Sequence, residues 1–331
     1  MSEKMIDLAL DQSNKREAVR QLYEMIVDAA DRRDFALAER LRHRLVAIDD
    51  MALTEIIGSA EVIEAAKTAA IDPSYNEQWK DLRAGFSEEE NNALFFALKE
   101  TSLKPGTAFI EQGKLNNRLF FIIQGRVTIV CRQGDRKFLL QHLDAGDIAG
   151  EDTFFGISIA TASAVCQSPV TVKYLERKSM EGWQESLPSL EEKLRSYCRT
   201  HCSLDHAQAV KKIERRQNKR YPIEKVLNAQ LQNLKGQDIG VSFRGVLDDV
   251  SKGGVCFFIK TPRQSTARML LGRPVCLTLS LGKAELSLHG LIVSAKYHLH
   301  NDYTVHVKLT SSDGPLFKQL LAKLEAQDAE H

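Results

Sequence analysis

The stretches Arg215-Arg-Gln-Asn-Lys-Arg220 and Asp249-Val-Ser-Lys-Gly-Gly254 decide how the C-terminal third of the chain folds. The first belongs to the densest basic cluster of the sequence, where six of the ten residues 211–220 are lysine or arginine. The second lies between two strand-like runs, Ile239–Leu247 and Val255–Ile259. Alone, a basic cluster is usually a solvated helix end, and an Asp-x-Ser stretch usually closes a hairpin turn. Their order along the chain, on either side of a strand, is far more specific.

Further strand-like runs follow at Val275–Leu281, Glu285–Ser294 and Thr304–Leu309, and Pro315–Ala326 has the pattern of an amphipathic helix. These elements and the two opening stretches together resemble the PilZ domain, whose motifs are Arg-x-x-x-Arg and then Asp-x-Ser-x-x-Gly. The resemblance implies a six-stranded antiparallel β-barrel over residues 214–331. It also implies a ligand, the bacterial second messenger cyclic di-GMP.

By this resemblance the messenger binds to Arg215, Arg216, Arg220, Asp249, Ser251 and Gly254. Their chemistry suits a ligand with two phosphates and two guanines, because guanidinium groups pair bidentately with phosphate oxygens or with the O6/N7 edge of guanine. The carboxylate of Asp249 can accept from the N1–H and N2–H₂ edge of guanine, and Ser251 supplies a hydroxyl. Gly254 lets the backbone turn sharply and approach the ligand. An arginine directly before the first motif arginine, here Arg215, implies two messenger molecules per module.

Short β-rich runs at Leu119–Val130 and Phe138–Leu143, with glycines at their corners, predict a small antiparallel β-roll in the middle of the chain. The motifs of this region are, in order, Leu103-Lys-Pro-Gly106, Phe109-Ile-Glu-Gln-Gly113, Phe121-Ile-Ile-Gln-Gly-Arg-Val127, Asp144-Ala-Gly-Asp147 and Gly150-Glu151. Over residues 86–187 they resemble the cyclic nucleotide-binding domain.

The ligand-binding part of that resemblance is incomplete. In the family, a phosphate-binding cassette begins at Gly-Glu, its glutamate accepts from the ribose, and an arginine further along neutralises the cyclic phosphate. Here the cassette, residues 150–164, contains no lysine or arginine, and none follows before Val172. A buried phosphate without a cation loses a charge-assisted contact and must still be desolvated. We therefore expect the binding of cyclic AMP or cyclic GMP to be lost or very weak.

This degenerate pocket is expected to be formed by Gly150, Glu151, Ala160 and Thr161, with Ala160 or Thr161 in the place of the arginine. Phe154 and Phe155 are expected to fill the vacated space, which would make the domain a structural or partner-binding unit.

Residues 1 to about 75 have a helical pattern, and Asp31–Asp34 interrupts it, which predicts a helical hairpin with Asp34 near the start of the second helix. The hairpin resembles the UVR motif, an interaction element of bacterial proteins, at Ala29, Ala30, Asp34, Phe35, Ala38, Leu41 and Arg42. An ordinary amphipathic hairpin is the alternative. A helix pair this short cannot bury both apolar faces alone, so we expect it to pack on the next domain or on a second copy, which would give a homodimer.

Composition excludes several classes of protein. The chain has 331 residues with a net charge of +1, which argues against a general binder of nucleic acid or anionic membranes. It has no long apolar run that would span a membrane, and its polar N-terminus is unlike a secretory signal. Its six cysteines are scattered singly, as in a cytoplasmic protein with reduced thiols.

Catalytic and metal-binding motifs are also missing from the sequence. No nucleophile elbow, P-loop or His-Glu-x-x-His motif is present, so we expect no enzyme activity. No recognition helix follows the β-roll, which argues against direct DNA reading. Cys198, His201, Cys202 and His206 lie close together on a predicted helix, but structural zinc sites usually draw on two separated pairs of ligands. We expect helix packing there and no metal.

The sequence thus predicts an α+β multidomain protein. Its parts are a helical region over 1–75, a β-roll over 76–190, a linking helix over 191–213 and a β-barrel with a C-terminal helix over 214–331. The working hypothesis is a cytoplasmic bacterial receptor in which cyclic di-GMP orders the segment between the two β modules, reorients them and so signals to a protein partner. The alternatives are a ligand-independent scaffold or adaptor, and a sensor of cyclic AMP or cyclic GMP through the middle domain.

Overall fold

The computed structural model describes residues 14–133, 136–201, 218–262, 264–282 and 284–329, which belong to two compact units. One unit is helical and comprises the chain as far as Lys99 together with Ser179–Leu194. The other comprises Glu100–Lys178 and the chain from Arg195 onward, so that it includes both β modules. In the described residues, no helix is both long and apolar enough to cross a membrane.

The helical unit begins with the predicted hairpin. Its helices are α1 (Lys15–Asp31), α2 (Phe35–Ile48), α3 (Leu53–Ala70), α4 (Pro73–Gln78), α5 (Lys80–Arg83) and α6 (Glu88–Ala97). Asp34 caps α2, because its carboxylate accepts from the backbone N–H of Leu37 at 3.1 Å. Ser87 and Glu90 form a reciprocal capping box at the start of α6.

The apolar stripes of the hairpin are core residues. Leu22 and Ile26 of α1, Leu41 and Leu45 of α2, and Ile63 of α3 are all buried in one cluster. Of the residues that carry the UVR-like pattern, Ala29, Ala30, Ala38 and Leu41 are buried in the same cluster. Helix α3 therefore covers the apolar face of the hairpin within the chain, and the homodimer stays a prediction.

The β-roll consists of two four-stranded sheets, ordered β1-β8-β3-β6 and β2-β7-β4-β5. Its strands are β1 (Lys99–Leu103), β2 (Ala108–Ile110), β3 (Arg118–Gln124), β4 (Val127–Gln133), β5 (Arg136–Leu143), β6 (Ile148–Ala149), β7 (Ser163–Cys166) and β8 (Val170–Glu176). A short helix, α7 (Glu151–Phe155), begins the cassette, and α8 (Arg177–Gly182) and α9 (Leu190–His201) follow the roll.

The predicted β-rich run over Leu119–Val130 contains β3 and β4, with Gly125 at the corner between them. Gly125 separates them with a φ of +94°, and a Cβ there would lie 2.3 Å from the carbonyl oxygen of Pro169. Only glycine combines this left-handed backbone with so close an approach.

The C-terminal module is a closed barrel in the order β10-β11-β14-β13-β12-β9. Its strands are β9 (Arg220–Gln232), β10 (Asp238–Ser251), β11 (Gly254–Lys260), β12 (Pro274–Leu281), β13 (Ala284–Tyr297) and β14 (Asp302–Leu309), with α10 (Gln264–Leu270) before β12 and α11 (Pro315–Ala329) at the end. All their pairings are antiparallel. The six-stranded barrel is confirmed, although β9 was not among the strand-like runs of the sequence. Lys225 interrupts the apolar alternation of Ile223 and Leu227 there.

The cassette of the roll is joined to the barrel by strand pairing. Strand β12 pairs with β13 only as far as Leu291, so the following residues of β13 have an edge that β12 does not cover. The segment 157–159 of the cassette pairs with this edge: the N–H of Ala295 donates to Ile157 O at 2.8 Å, and the N–H of Ile159 donates to Val293 O at 3.0 Å. The side chain of Ile157 is buried in the core of the barrel.

Substitution of Gly290 on β13 tests how closely β13 and β14 pack in the barrel. A Cβ at this position would lie 2.4 Å from Cγ1 of Val307 and 2.6 Å from the carbonyl oxygen of Lys308. We expect Gly290→Ala to destabilise the barrel by roughly 1–3 kcal/mol, as overpacked cores do, and to lower the melting temperature in calorimetry. Gly314→Ala is the control, because no atom lies within 4 Å of its Cβ. Equal melting temperatures for the two variants would contradict this account.

Candidate functional site

An arginine and a carboxylate meet at one end of the barrel. Arg220 is the first residue of β9, and its Nη1 donates to Oδ2 of Asp249 on β10 at 3.0 Å. Between Leu247 and Asp249 the register of β10 shifts relative to both neighbouring strands. Both side chains keep contact with solvent, with 37% of Arg220 and 20% of Asp249 exposed. A guanidinium has five N–H donors, so Arg220 can keep this bond and still donate to a ligand.

The turn next to this pair is formed by the other two motif residues. Ser251 ends β10 and Gly254 begins β11, and the serine hydroxyl donates to the carbonyl oxygen of Gly254 at 3.2 Å. The hydroxyl therefore helps to close the hairpin. Gly254 has no positive φ, so it is required for a different reason from the sharp turn expected from the sequence. A Cβ there would lie 2.9 Å from the carbonyl oxygen of Val307 on β14.

The structure brings Arg220, Asp249, Ser251 and Gly254 together, since Ser251 pairs with Arg220 on one side and with Gly254 on the other. Arg215 and Arg216 lie outside the described residues.

The end of the arginine stretch packs against the hairpin and the C-terminal helix. The side-chain amide of Asn218 packs against Gly253, because a Cβ on Gly253 would lie 2.8 Å from its nitrogen. Lys219 forms an ion pair with Asp328 of α11. The hydroxyl of Tyr221 donates to Glu325 of the same helix at 3.1 Å. Helix α11 therefore positions the strand that presents Arg220.

Sequence reasoning missed a polar group beside the motif carboxylate. Asp248, Asp249 and Cys256 bring their carboxylate and thiol atoms within 4.8 Å of one another. Burial, followed by the charges of Asp249 and Asp248, raises the pKa of the Cys256 thiol to about 12. The thiol is therefore protonated at neutral pH and donates to Asp248 at 3.7 Å. Only the strand register reveals this group, because nothing in the sequence pairs Cys256 with Asp249.

His306 of β14 is the next residue in the same row, paired with Cys256. Burial, and then the charge of Arg220, lowers the pKa of its imidazole, so the ring is neutral at pH 7. The end of the barrel thus offers a cation, a carboxylate and neutral hydrogen-bonding groups side by side.

The β-roll contains a small pocket that opens to solvent. Aliphatic side chains of its sheets line it, among them Ile110, Ile129 and Leu143, and so do both ends of the cassette, over residues 150–153 and 160–164. All four residues of the predicted degenerate pocket, which are Gly150, Glu151, Ala160 and Thr161, are in this lining.

Two backbone hydrogen bonds fix Ala160 in the wall of the cavity. Its N–H donates to Lys114 O at 2.9 Å, and its carbonyl oxygen accepts from the N–H of Gly113 at 2.8 Å. The lysine side chain of that turn is largely exposed and pairs with Glu111 at 2.6 Å. The described residues that line the cavity include acids but no lysine, arginine or histidine.

The expectation that Phe154 and Phe155 fill the cavity was wrong, because neither belongs to its lining. Both rings are buried, and the guanidinium of Arg177 lies 5.6 Å from the ring centre of Phe154. The guanidinium of Arg195 lies 5.4 Å from the ring centre of Phe155. Both distances lie within the range of cation–π contacts.

Each of the two β modules matches a known protein family. Residues 100–185 match the model of the cyclic nucleotide-binding domain, and residues 214–326 match that of the PilZ domain. The chain carries a cyclic nucleotide-binding domain followed by a PilZ domain. A PilZ domain points to the reception of cyclic di-GMP, and a cyclic nucleotide-binding domain points to nucleotide sensing. Both are typically regulatory ligand-binding modules and not catalytic ones.

Solved structures resemble the chain at low identity. The N-terminal domain of a transcriptional regulator from Streptomyces coelicolor A3(2) is 23% identical, over 36% of this chain and 86% of that one, with a TM-score of 0.32. A cyclic nucleotide-binding domain from Methylobacillus flagellatus KT is 18% identical, over 43% of this chain and 86% of that one, with a TM-score of 0.38. The catabolite activator protein of Thermus thermophilus is 21% identical, over 40% of this chain and 62% of that one, with a TM-score of 0.34. The chain matches no curated protein.

Of the cysteine–histidine group after the cyclic nucleotide-binding domain, the structure describes Cys198 and His201. Cys198 is buried. The ring of His201 stacks on that of Tyr197, with centroids 4.1 Å apart. Cys202 and His206 lie outside the described residues. The cysteines that the structure describes form no disulfide with one another.

The missing cation of the cyclic nucleotide-binding domain can be restored at Ala160, which is buried in the cavity wall. A charge-assisted hydrogen bond contributes about 1.5–3 kcal/mol, so we expect Ala160→Arg to bind cyclic AMP about 10- to 100-fold more tightly than the natural chain. A rise in melting temperature with cyclic AMP measures this. Ala108→Arg, on an exposed strand position of the same roll outside the cavity lining, should leave the binding unchanged. If the natural chain bound cyclic AMP as tightly as Ala160→Arg does, this prediction would be contradicted.

Proposed function

We propose that the protein is a bacterial receptor for cyclic di-GMP, which binds at Arg215, Arg216, Arg220, Asp249, Ser251 and Gly254 of the PilZ domain. The observation that supports this most is the contact of Arg220 with Asp249 directly beside the turn formed by Ser251 and Gly254. It places a cation, a carboxylate and a backbone turn on one exposed end of the barrel.

The messenger needs this combination of groups. Its phosphates and the O6/N7 edges of its guanines call for guanidinium donors, whereas the N1–H and N2–H₂ edges of guanine call for a carboxylate acceptor. Arg220 and Asp249 compensate each other's charge through their ion pair. A ligand that offers an acceptor to Arg220 and donors to Asp249 therefore replaces one hydrogen bond by several. That exchange favours a guanine nucleotide over a simple anion.

Signalling is the second part of the proposal. Messenger binding at the start of β9 changes the arrangement of the domains, and a protein partner reads this change. A ligand-independent adaptor is the alternative, in which the arginines contact an acidic partner. A receptor for cyclic AMP through the cyclic nucleotide-binding domain is less favoured, because no lysine, arginine or histidine is among the described residues that line its cavity.

Titration calorimetry with cyclic di-GMP is the direct test. We expect saturable binding to the full chain, and a loss of about 10- to 100-fold in affinity for Arg220→Ala, the usual value of a charge-assisted contact. Arg216→Ala/Arg220→Ala should abolish binding. No heat at tens of micromolar protein, or undiminished binding in the double variant, would falsify the proposal.

The matched control is Arg244→Ala. Arg244 is exposed on the same strand as Asp249 but lies opposite Asn228, several residue pairs away from the site. We expect this variant to bind like the natural chain. An equal loss for Arg244→Ala and Arg220→Ala would indicate a general charge effect and favour the adaptor.

The stoichiometry tests the role of Arg215. With this arginine directly before Arg216, two messenger molecules are expected to bind per chain, and Arg215→Ala is expected to reduce the number to one while binding persists. The same calorimetric titration reports the molar ratio. A ratio of one for the natural chain would contradict this assignment without affecting the receptor proposal.

A further inference from the structure

The register shift of β10 brings two consecutive carboxylates to the same side of the barrel. In a regular strand, neighbouring side chains point to opposite faces of the sheet. Here Leu247 pairs with Phe257 and Asp249 with Cys256, so the register passes over Asp248. One oxygen of each aspartate consequently lies within 4.8 Å of the other aspartate's oxygen and of the sulfur of Cys256. A regular strand would have separated the two acids.

A thiol and an imidazole complete this group from the two neighbouring strands. The residues before and after Cys256 belong to the barrel core, so the alternation along β11 directs its thiol to the outer face. The same holds for His306 on β14, which lies between the core residues Val305 and Val307. Cys256 and His306 are directly paired, and the Cβ atoms of such pairs are about 4.5–5.5 Å apart. We call the four side chains the outer cluster: Asp248, Asp249, Cys256 and His306.

The outer cluster has the donors that a zinc-like ion prefers. Zn²⁺ is bound by thiolate, imidazole and carboxylate groups, usually four in a tetrahedral arrangement. At bond lengths of about 2.0–2.3 Å, the ligand atoms of such a site lie roughly 3.3–3.6 Å apart. The carboxylate and thiol atoms of the cluster therefore need to approach one another by only about 1 Å to surround an ion. Mg²⁺ is different, because it takes oxygen ligands and not a thiolate.

The charges of the cluster also suit a divalent cation. Two carboxylates and the thiolate of Cys256 face the single positive charge of Arg220, which pairs with Asp249. The negative charge that is left equals the charge of a divalent ion. Lys296 of β13 also acts on His306. Its side chain is exposed, however, so water and salt screen its charge.

We propose that Asp248, Asp249, Cys256 and His306 bind a thiophilic divalent cation of the zinc type, and that the bound ion excludes cyclic di-GMP from the barrel. The metal site is independent of the function proposed above, and the exclusion rests on it. Binding forms a bond between the ion and the sulfur and breaks the S–H bond of Cys256, whose proton passes to water. Asp249 exchanges Arg220 for the ion, and it is then no longer available to the N1–H and N2–H₂ edge of guanine.

Titration of the reduced, metal-free full chain with Co²⁺ and Zn²⁺ tests the site. Co²⁺ takes the same ligands as Zn²⁺, and its bond to a thiolate gives a charge-transfer band that carboxylates and imidazoles do not give. We expect one equivalent of Co²⁺ to produce this band, Zn²⁺ to remove it and Mg²⁺ to have no effect. Because the Cys256 thiol is protonated at neutral pH, calorimetry with Zn²⁺ in buffers of different ionisation enthalpy should show about one proton released per ion.

Two variants locate the site. Cys256→Ser should abolish the band. Asp248→Asn should weaken the binding of Co²⁺ at least about tenfold, because even groups that only orient metal ligands contribute about 10- to 100-fold. Asp248 is exposed, so this variant does not depend on the repacking of a buried residue.

The matched control is Cys276→Ser. Cys276 belongs to a second cysteine–histidine pair of the described barrel, with its sulfur 3.9 Å from Nε2 of His289, and this variant should bind Co²⁺ like the natural chain. Absence of the band in the natural chain, its persistence in Cys256→Ser, or undiminished binding by Asp248→Asn would overturn the metal site.

The exclusion is tested by calorimetric titration with cyclic di-GMP in the absence and presence of Zn²⁺. With Zn²⁺ at about ten times its own dissociation constant, competition should raise the dissociation constant of the messenger about tenfold. Cys256→Ser should bind the messenger equally with and without Zn²⁺, which controls for binding of the ion to the messenger's phosphates.

The outcomes separate the two halves of the proposal. An unchanged dissociation constant in the natural chain, or an equal rise in Cys256→Ser, would overturn the exclusion and leave the metal site standing. If cyclic di-GMP does not bind to the natural chain even without Zn²⁺, the receptor proposal and the exclusion fail together, whereas the cobalt titration still decides the metal site.

Discussion

The closure of the barrel is the constraint from which the geometry around Arg220 and Asp249, the proposed messenger site, follows. Strand β9 pairs with β10 on one side and β12 on the other, so that its register is fixed twice. Because side chains alternate along a strand, this register directs Leu227, Ala229 and Leu231 into the core. It leaves Arg220 on the outside, opposite Ser251. The position of the arginine is thus a consequence of hydrogen bonding around the whole barrel.

Sequence reasoning predicted the elements whose residues follow a regular periodicity or a motif of fixed spacing. The helical hairpin, the cap at Asp34 and most barrel strands follow from local patterns, which is why they could be located without a structure. The strand that begins at Arg220 could not be located in this way. Its stability comes from two partner strands, and its own alternation of apolar and polar residues is interrupted. The polar row of Cys256 and His306 was beyond reach for the same reason, since register is a property of strand pairs and not of either strand.

The misplaced aromatic residues have a different cause. Size and hydrophobicity made Phe154 and Phe155 reasonable fillers for a vacated pocket. A helix turn decides their direction, however, and α7 directs both rings towards arginines that lie far from them in the sequence. For glycine, the sequence likewise indicated the position but not the reason why a side chain is excluded there. Gly254 was singled out for a sharp turn, but the atom that excludes a side chain there belongs to Val307, on a strand that no local pattern connects with it.

The addition of the cassette to β13 has a consequence for dissecting the protein. A fragment cut between the two family modules would keep every residue of the barrel, yet it would expose the backbone of β13 around Val293 and leave a hole where Ile157 was. Uncovered strand edges recruit other chains, so such a fragment is expected to aggregate, although its sequence matches a complete family. The boundary between the two sequence families is therefore not a boundary between two independently folding units.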